Sequence, residues 1–583
     1  MEKLAELLAS YMTAQDPAHL NQALRISRKP MHHYIQEFMT QAPHLKHADV
    51  LLYRTYVLKN GPFIDETVAA DLNKSDKRAA DVRQAGNRLY LSKQYPEALE
   101  KYNESICWAD GADSENLGIG YANRSAIYYD MGEYELSLAN IVLAKKHNYP
   151  ERLMPKLQTR EHNCKEKIAE GQSQLAMRCP SLAMNVEPHP MIPFMAAGIA
   201  QKELPGYGRS LVAERPFKAG DVILKEKAWL AAISPELKYK NCNHCSADNF
   251  YSLIPCPNCV SVMYCSEKCL EEGLKYSHRF ECGITEKLHH ISWGSSRIWM
   301  GSRAFFYGLT LFNDDMKNMM DYCEANGRNG ADPLTLDYSK YDPLEEFKVF
   351  HKTKLATSEF LYEDSFRFYA ALYFSVYMKN PLVRSIVSTK AHKDFMLRSI
   401  LDYMRIIGFL IIGPRQNFTN QLFSIGSVCN HSCDPNTVAA VQYGQLKFII
   451  LRPIAAGDQI LISYGPLVYE STDSERRQAL SMYHFVCICD ACDAYKMRRR
   501  KETSKRLPGI PLKQLKAMSE LLHDDAADGA AKLTMMQQIV NRYQHSYPRK
   551  DYMDSLDLYY KLLGITFLKE TQDLRRTTAA ESA

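Results

Sequence analysis

Two short stretches of this sequence carry side chains that could do chemistry together. The first is Asn430-His431-Ser432-Cys433-Asp434-Pro435-Asn436. The second is Phe485-Val486-Cys487-Ile488-Cys489-Asp490-Ala491-Cys492, and Ile462-Ser463-Tyr464-Gly465 lies between them. Asp-Pro favours a turn, because proline fixes φ and pushes the preceding residue out of the helical region. Cys433 supplies one thiol at that turn, and Cys487, Cys489 and Cys492 supply three more. Four thiolates make a closed tetrahedral zinc set. Such a metal would pin the Asn430-His431 turn against a segment far along the chain.

A denser ligand pattern lies upstream. Cys242, Cys245, Cys256, Cys259, Cys265, Cys269, His278 and Cys282 are spaced Cys-x2-Cys-x10-Cys-x2-Cys-x5-Cys-x3-Cys-x8-His-x3-Cys. Eight ligands serve two tetrahedral zincs with none left over. The interleaved order suggests a cross-brace. Cys242, Cys245, Cys265 and Cys269 would hold one ion, and Cys256, Cys259, His278 and Cys282 the other. So small a module has little core, so its metals would carry its folding. Both sets are saturated, which makes them structural. His244 lies inside a chelating loop and reads as solvated.

The rest of the chain must position these groups. Its 583 residues are too many for one core and predict three or four domains. Hydrophobic content of 46% with 24% charged residues fits an ordinary folded protein. A net charge of +5 is small for this length and says little about nucleic acid, but the eight-ligand module has no run of basic residues with interleaved aromatics, so a nucleic-acid partner is not expected. No signal peptide is read at Met1-Glu2-Lys3-Leu4, and the apolar run from Ile406 to Gly413 is too short to cross a bilayer. No membrane partner is therefore expected. Clustered cysteines in a reducing compartment favour metal over disulfides, and the expected location is cytoplasmic, nuclear or both.

Along the chain, residues 1–79 read as a helical segment without chemistry. Residues 80–175 carry a repeat: Ala85-Gly86-Asn87-Arg88 returns as Tyr121-Ala122-Asn123-Arg124, an offset of 36 from Asn87 to Asn123. That is close to the period of tetratricopeptide helix pairs, about 34 residues, and such units usually need about three copies. The repeat is either a peptide-binding groove or packing alone. Residues 180–200, with Pro188, Pro190 and Pro193, read as a linker. Gly206-Tyr207-Gly208-Arg209 reads as a glycine loop before a strand, and Ala219-Gly220 as a turn into another. Residues 285–410 read as largely helical, and 415–466 return to strands, the last delivering Tyr464. The basic run Lys496 to Lys501 reads as a solvated face or linker, and a helical cap closes the chain.

The glycine loop, the eight-ligand finger, Asn-His-Ser-Cys-Asp-Pro-Asn, Ile-Ser-Tyr and Cys-Ile-Cys-Asp-Ala-Cys come in that order. In this the sequence resembles the SET and MYND domain-containing proteins, in its tetratricopeptide-bearing form. The resemblance implies an α+β multidomain chain, with a β-rich SET fold split by a MYND zinc finger and flanked by helical regions. It divides the chain into a SET first part at 200–241, the finger at 242–282, a helical insertion at 283–410, a SET core at 411–466, a post-SET zinc segment at 467–495 and a C-terminal helical region at 496–583. It implies a protein-lysine N-methyltransferase using S-adenosylmethionine and three zinc ions. Tyr207, Gly208 and Arg209 match the cofactor loop, Asn430 and His431 the pair that holds the cofactor, and Tyr464 the catalytic tyrosine. Tyr483 and Phe485 match aromatics beside the cofactor, Cys433, Cys487, Cys489 and Cys492 the third zinc site, and Tyr341 a further cofactor contact in the insertion. Two departures stand out: Ser210 in place of a further glycine, and Val428-Cys429 in place of leucines.

The implied partners are a protein substrate lysine and peptide or protein ligands of the finger and repeats. The rival reading is a zinc-stapled adaptor with a weak catalytic core. Methyl transfer requires a neutral amine, whose unperturbed pKa is about 10.4. A nearby sulfonium and an apolar channel would both lower it.

Overall fold

The computed structural model describes residues 49–51, 53–54, 73–172, 182–248, 253–292, 296–354, 363–410, 419–442, 444–465, 467–468, 471–483, 485–524 and 527–582. Most of the helical segment expected over 1–79 lies outside the described residues.

The N-terminal region is built from helix pairs. Helices α1 (Asp76–Leu91) and α2 (Tyr95–Trp108) form one, α3 (Glu115–Asp130) and α4 (Tyr134–Lys146) the next, and α5 (Met154–Lys167) follows. Ser75 and Ser114 start α1 and α3 by accepting backbone N–H groups with their side chains. Gly118 lets the chain beyond α4 cross α3 closely: a Cβ there would come within 2.3 Å of the His147 carbonyl oxygen.

These pairs do not present a free face throughout. Ile106, Tyr121 and Ile141 share one buried cluster with Tyr239, Leu253, Val260 and Met263 of the cysteine-rich segment. Inside that contact, Asn103 Nδ2 donates to the Tyr239 carbonyl at 2.8 Å and Arg124 Nη1 to the Leu253 carbonyl at 2.8 Å. Buried polar groups so satisfied mark a permanent contact.

A five-stranded sheet follows, in the order β1-β2-β5-β12-β11. Its strands are β1 (Pro188–His189), β2 (Ile192–Ala196), β5 (Val222–Lys227), β11 (Thr437–Gln442) and β12 (Gln445–Ile450). The linker expected at 180–200 is therefore corrected: its described part forms β1, β2 and the start of β3. The prolines misled, because Pro188 lies on the edge strand, where no ladder donor is needed, while Ile192, Met195 and Ala196 are buried. Strands β3 (Ile199–Leu204) and β4 (Gly208–Ala213) make a hairpin around the glycine loop.

The finger interrupts the strands between β6 (Leu230–Ile233) and β9 (Thr419–Leu422), which pair with each other across it. It holds the short ladder of β7 (Ile254–Pro255) and β8 (Met263–Tyr264) and the helix α6 (Glu267–Gly273). Helices α7 (Thr285–Ser292) and α8 (Ser296–Leu311) lead into the insertion, whose core of Trp299, Phe305, Tyr373, Tyr377 and Tyr403 is the largest among the described residues. The helix Glu363–Tyr377 buries Phe368, Leu372, Tyr373 and Tyr377 in that core.

Arg303 on α8 locks the finger to this core. It is 1% exposed and forms a bidentate pair with Glu281, with both N···O distances 2.8 Å. The same guanidinium donates to the Ala231 carbonyl of β6 and to Asn243 of the finger. After the sheet come α9 (Ala494–Arg506), α10 (Leu512–His523), α11 (Gly529–Arg542) and α12 (Lys550–Ser582). They bury Met536, Val540, Tyr552 and Tyr559 against Val222, Ile449 and Leu451 of the sheet. Among the described residues no helix is long and apolar enough to cross a membrane.

Candidate active site and metal centres

The turn from Asn430 to Asn436 is the hub, and nearly every residue in it faces a different element. Asn430 and His431 form β10, which pairs in parallel with β13 (Leu461–Ile462) in the register Asn430↔Leu461 and His431↔Ile462. That register brings Tyr464, two residues past β13, back beside His431, with ring centroids 5.3 Å apart. Asn436 fixes the start of β13, accepting from the Leu461 amide at 2.9 Å and donating to the Gln459 carbonyl at 2.8 Å.

Asn430 ties the hub to the glycine loop. Its Nδ2 donates to the Arg209 carbonyl at 2.9 Å, to Ser210 Oγ at 2.9 Å and, more weakly, to the Tyr207 carbonyl at 3.4 Å. Gly206 and Gly208 have φ of 78° and 69°, a left-handed backbone that glycine adopts without strain. Ser210, a departure from the resemblance, has a defined role. Its buried hydroxyl accepts from Asn430 and from Gln459 Nε2, and donates to the Gly208 carbonyl.

His431 connects the metal ligands to Tyr464. The Tyr464 amide donates to Nδ1 at 2.9 Å, so the ring proton belongs on Nε2, which lies 3.3 Å from Cys433 Sγ. The Tyr464 hydroxyl donates to the Cys429 carbonyl at 2.6 Å. Burial pushes this phenol well above its ordinary range, so it stays protonated. The second departure, Cys429, is buried and directs its thiol to the Ile460 carbonyl at 3.3 Å.

These groups border one cavity of about 320 Å³. Gly206, Tyr207 and Arg209 line it from the glycine loop, Asn430, His431 and Tyr464 from the hub, and Tyr483 and Phe485 to Ile488 from the segment before the last cysteines. Tyr464 and Tyr483 approach with centroids 4.9 Å apart, and Phe485 stands edge-on to Tyr464 at 6.3 Å. Phe485 and Val486 are exposed apolar side chains at the cavity, the kind of surface a bound ligand covers. Leu410, Ser427 and Val428 also line it. They are apolar or neutral residues; the sequence marked Val428 only as a departure and Leu410 and Ser427 not at all.

Two residues of the expected cofactor set, Gly208 and Tyr341, do not border the cavity; Gly208 shapes the loop between two residues that do. Tyr341 is 53% exposed, and its hydroxyl donates to Glu346 at 2.6 Å. Glu346 in turn accepts from Ser424 Oγ at 2.6 Å. Glu226 accepts the backbone N–H groups of Ser424, Ile425 and Gly426, the residues just before the cavity-lining Ser427 and Val428, at 2.7, 2.9 and 2.8 Å. Burial pushes its carboxyl up to about 7 against those donors.

Three ligand sets assemble: Cys242, Cys245, Cys265 and Cys269; Cys256, Cys259, His278 and Cys282; and Cys433, Cys487, Cys489 and Cys492. Within each set the donor atoms lie within 4.8 Å of one another. Sulfur separations of 3.6 Å for Cys245–Cys265, 3.5 Å for Cys265–Cys269 and 3.5 Å for Cys433–Cys492 suit a small tetrahedral ion. Metal–sulfur bonds of about 2.3 Å place such sulfurs ~3.8 Å apart. The donor sets therefore fit zinc. His244 stays outside them and meets Glu272 at 3.0 Å.

Residues 208–465 match the SET domain family. The chain is 23% identical over 508 residues to the protein-lysine N-methyltransferase SMYD4 of Danio rerio, covering 72% of this chain and 66% of that protein. It is 27% identical over 322 residues to a SET and MYND domain-containing protein of Dictyostelium discoideum, covering 51% and 82%. To the histone-lysine N-methyltransferase ASHR1 of Arabidopsis thaliana it is 26% identical over 332 residues, covering 56% and 61%. The chain spans about two thirds of the length of the SMYD4 relatives it matches.

Proposed function

We propose that this chain, which belongs to the SET and MYND domain-containing proteins, is an S-adenosylmethionine-dependent protein-lysine N-methyltransferase. The observation that carries the reading is the convergence of the glycine loop, Asn430, His431 and Tyr464 on one cavity. When bound, S-adenosylmethionine supplies an electrophilic methyl group whose bonding electron pair leaves with sulfur.

The chain's own residues do the rest. Asn430 holds the glycine loop against the hub and so fixes the wall on which the cofactor rests, with Gly206, Tyr207 and Arg209 in that wall and Gly208 shaping the turn between them. Phe485, Val486 and Ile488 offer apolar surface beside it and exclude water. Tyr464 and Tyr483 present ring faces that favour a cationic lysine on entry. Desolvation among those rings lowers the ammonium pKa and favours loss of its proton. The Tyr464 oxygen, fixed by its bond to the Cys429 carbonyl, keeps lone pairs to orient the neutral amine. Catalysis is then mostly alignment, as the N–C bond forms and the C–S bond breaks.

Zinc held by the three ligand sets would fold the finger and pin the hub. Partner binding through the repeats is confined to faces the finger leaves open, because the finger covers Asn103, Cys107 and Arg124. The adaptor reading has less support, since an inactive core has no need of the bonds joining Ser210, Asn430, His431 and Tyr464.

Tyr464→Phe tests the assignment. The variant should keep its cofactor affinity and lose single-turnover methyl transfer to lysine by about 100-fold. Unchanged transfer would remove Tyr464 from the mechanism. A wild-type protein that binds cofactor but labels no protein lysine would defeat the enzyme reading.

A further inference from the structure

The hub has one residue whose partners come from beyond the SET and zinc segments. Asp434 lies next to the metal ligand Cys433 and is 6% exposed. Its Oδ2 is 2.5 Å from Arg500 Nη2 and accepts from the Tyr547 hydroxyl at 2.5 Å. Arg500 lies on α9, in the basic run that the sequence read as a solvated face. Its side chain is only 15% exposed. Tyr547 comes from the C-terminal helices, 113 residues after Asp434. Its ring lies between two guanidinium groups, Arg452 at 4.3 Å and Arg500 at 4.9 Å from the centroid. Arg452 follows β12, so the stack joins sheet, hub and C-terminal helices.

Resting on the reading above, we propose that Arg500 and Tyr547 are positioning residues for the cofactor turn, which makes the C-terminal helical region part of the cofactor site. A buried carboxylate needs compensation, and these two groups supply it. Asp434 is coupled to the rest of the turn at short range. Its amide donates to Ser432 Oγ at 3.1 Å, and Ser432 Oγ donates back to its carbonyl at 3.0 Å. Its neighbour Cys433 meets His431 Nε2, and His431 meets the Tyr464 amide. An Asp434 side chain left without its cation would pull toward water and take this turn with it.

The test is calorimetric binding of S-adenosylmethionine to zinc-loaded, full-length protein, with zinc content measured on each sample. Arg500→Met should raise Kd about tenfold and speed amide exchange over residues 428–436. Tyr547→Phe, which keeps the ring, should raise Kd about threefold. Asp434→Asn combined with Arg500→Met should recover most of the affinity, because no buried charge is left unpaired. Variants that lower the melting temperature but leave Kd and exchange at wild-type values would show a purely structural contact and overturn the proposal. Loss of a zinc ion in Arg500→Met would overturn it too, by tracing the effect to the metal. Wild-type protein that binds no cofactor would instead remove the enzyme reading, and this inference with it.

Discussion

The finger and the third cysteine set use the same ligand chemistry for different ends. In the finger, two interleaved sets close on themselves, and the module meets the insertion core through Arg303 and Glu281, a buried pair that does not line the cavity. The third set draws one ligand from the hub and three from beyond Tyr464. Its sulfurs are contacted by groups with other work. His431 Nε2 meets Cys433, and Arg476 Nη2 lies 3.9 Å from Cys492. Four thiolates around a divalent ion leave a net negative charge, which both donors offset. The same set orders Phe485 to Ile488 along the cavity. A metal set staples a module when its ligands come from that module alone. It builds a site when its ligands come from both sides of one.

The largest expected effect breaks this comparison if it fails. Cys433→Ser should abolish S-adenosylmethionine binding, while Cys269→Ser should leave it within about threefold, because only the third set is wired to the cavity. Calorimetry on both variants, with zinc counted, decides the matter. Equal losses would mean that the finger shapes the cavity as directly as the third set does.

The next effect sharpens the finger's half. Arg303→Met leaves Glu281 buried without a cation, which should cost about 3–5 kcal/mol of stability. Thermal unfolding should show it as a large fall in midpoint, with cofactor affinity at temperatures below the transition unchanged. A fall in affinity without a fall in stability would place Arg303 in the site.

The smallest effect is a pH slope at Glu226, which holds the backbone that leads to the cavity-lining Ser427 and Val428. Burial raises the Glu226 carboxyl to about 7 from an ordinary value near 4.5. Between those values the folded state binds more proton than the unfolded, so this group's contribution to stability falls as pH rises. Glu226→Gln should therefore gain on the wild type by on the order of 1–3 kcal/mol between about pH 5 and 7.5. Parallel stability curves for the two proteins would show that the three N–H donors keep Glu226 ionised throughout.

What the sequence disclosed follows from how far each signal reaches. Ligand spacing is a local pattern, so the three clusters of possible metal-holding residues that the fold assembles were already grouped in the same way by spacing alone. The glycine loop and the strand that delivers Tyr464 were legible too. Long-range pairing leaves no such trace. Nothing near Arg500 in sequence says that it meets Asp434, and a basic run reads as solvated by default. Glu226, Arg303 and Tyr547 were invisible for the same reason. Ser210 was noticed only as a departure, and its value appeared once Asn430 and Gln459 were seen to share its hydroxyl. Tyr341 shows the converse, since a suitable residue type at a suitable place in the insertion still points to Glu346 rather than the cavity.

The central claim is that the hub forms a cofactor site. Isothermal calorimetry of S-adenosylmethionine with the zinc-loaded protein, beside an Asn430→Ala, His431→Ala control, tests it most directly. Saturable one-to-one binding that vanishes in the control, with zinc content and melting temperature retained, is the predicted result. No binding by the wild type at any attainable cofactor concentration, or equal binding by the control, would contradict it.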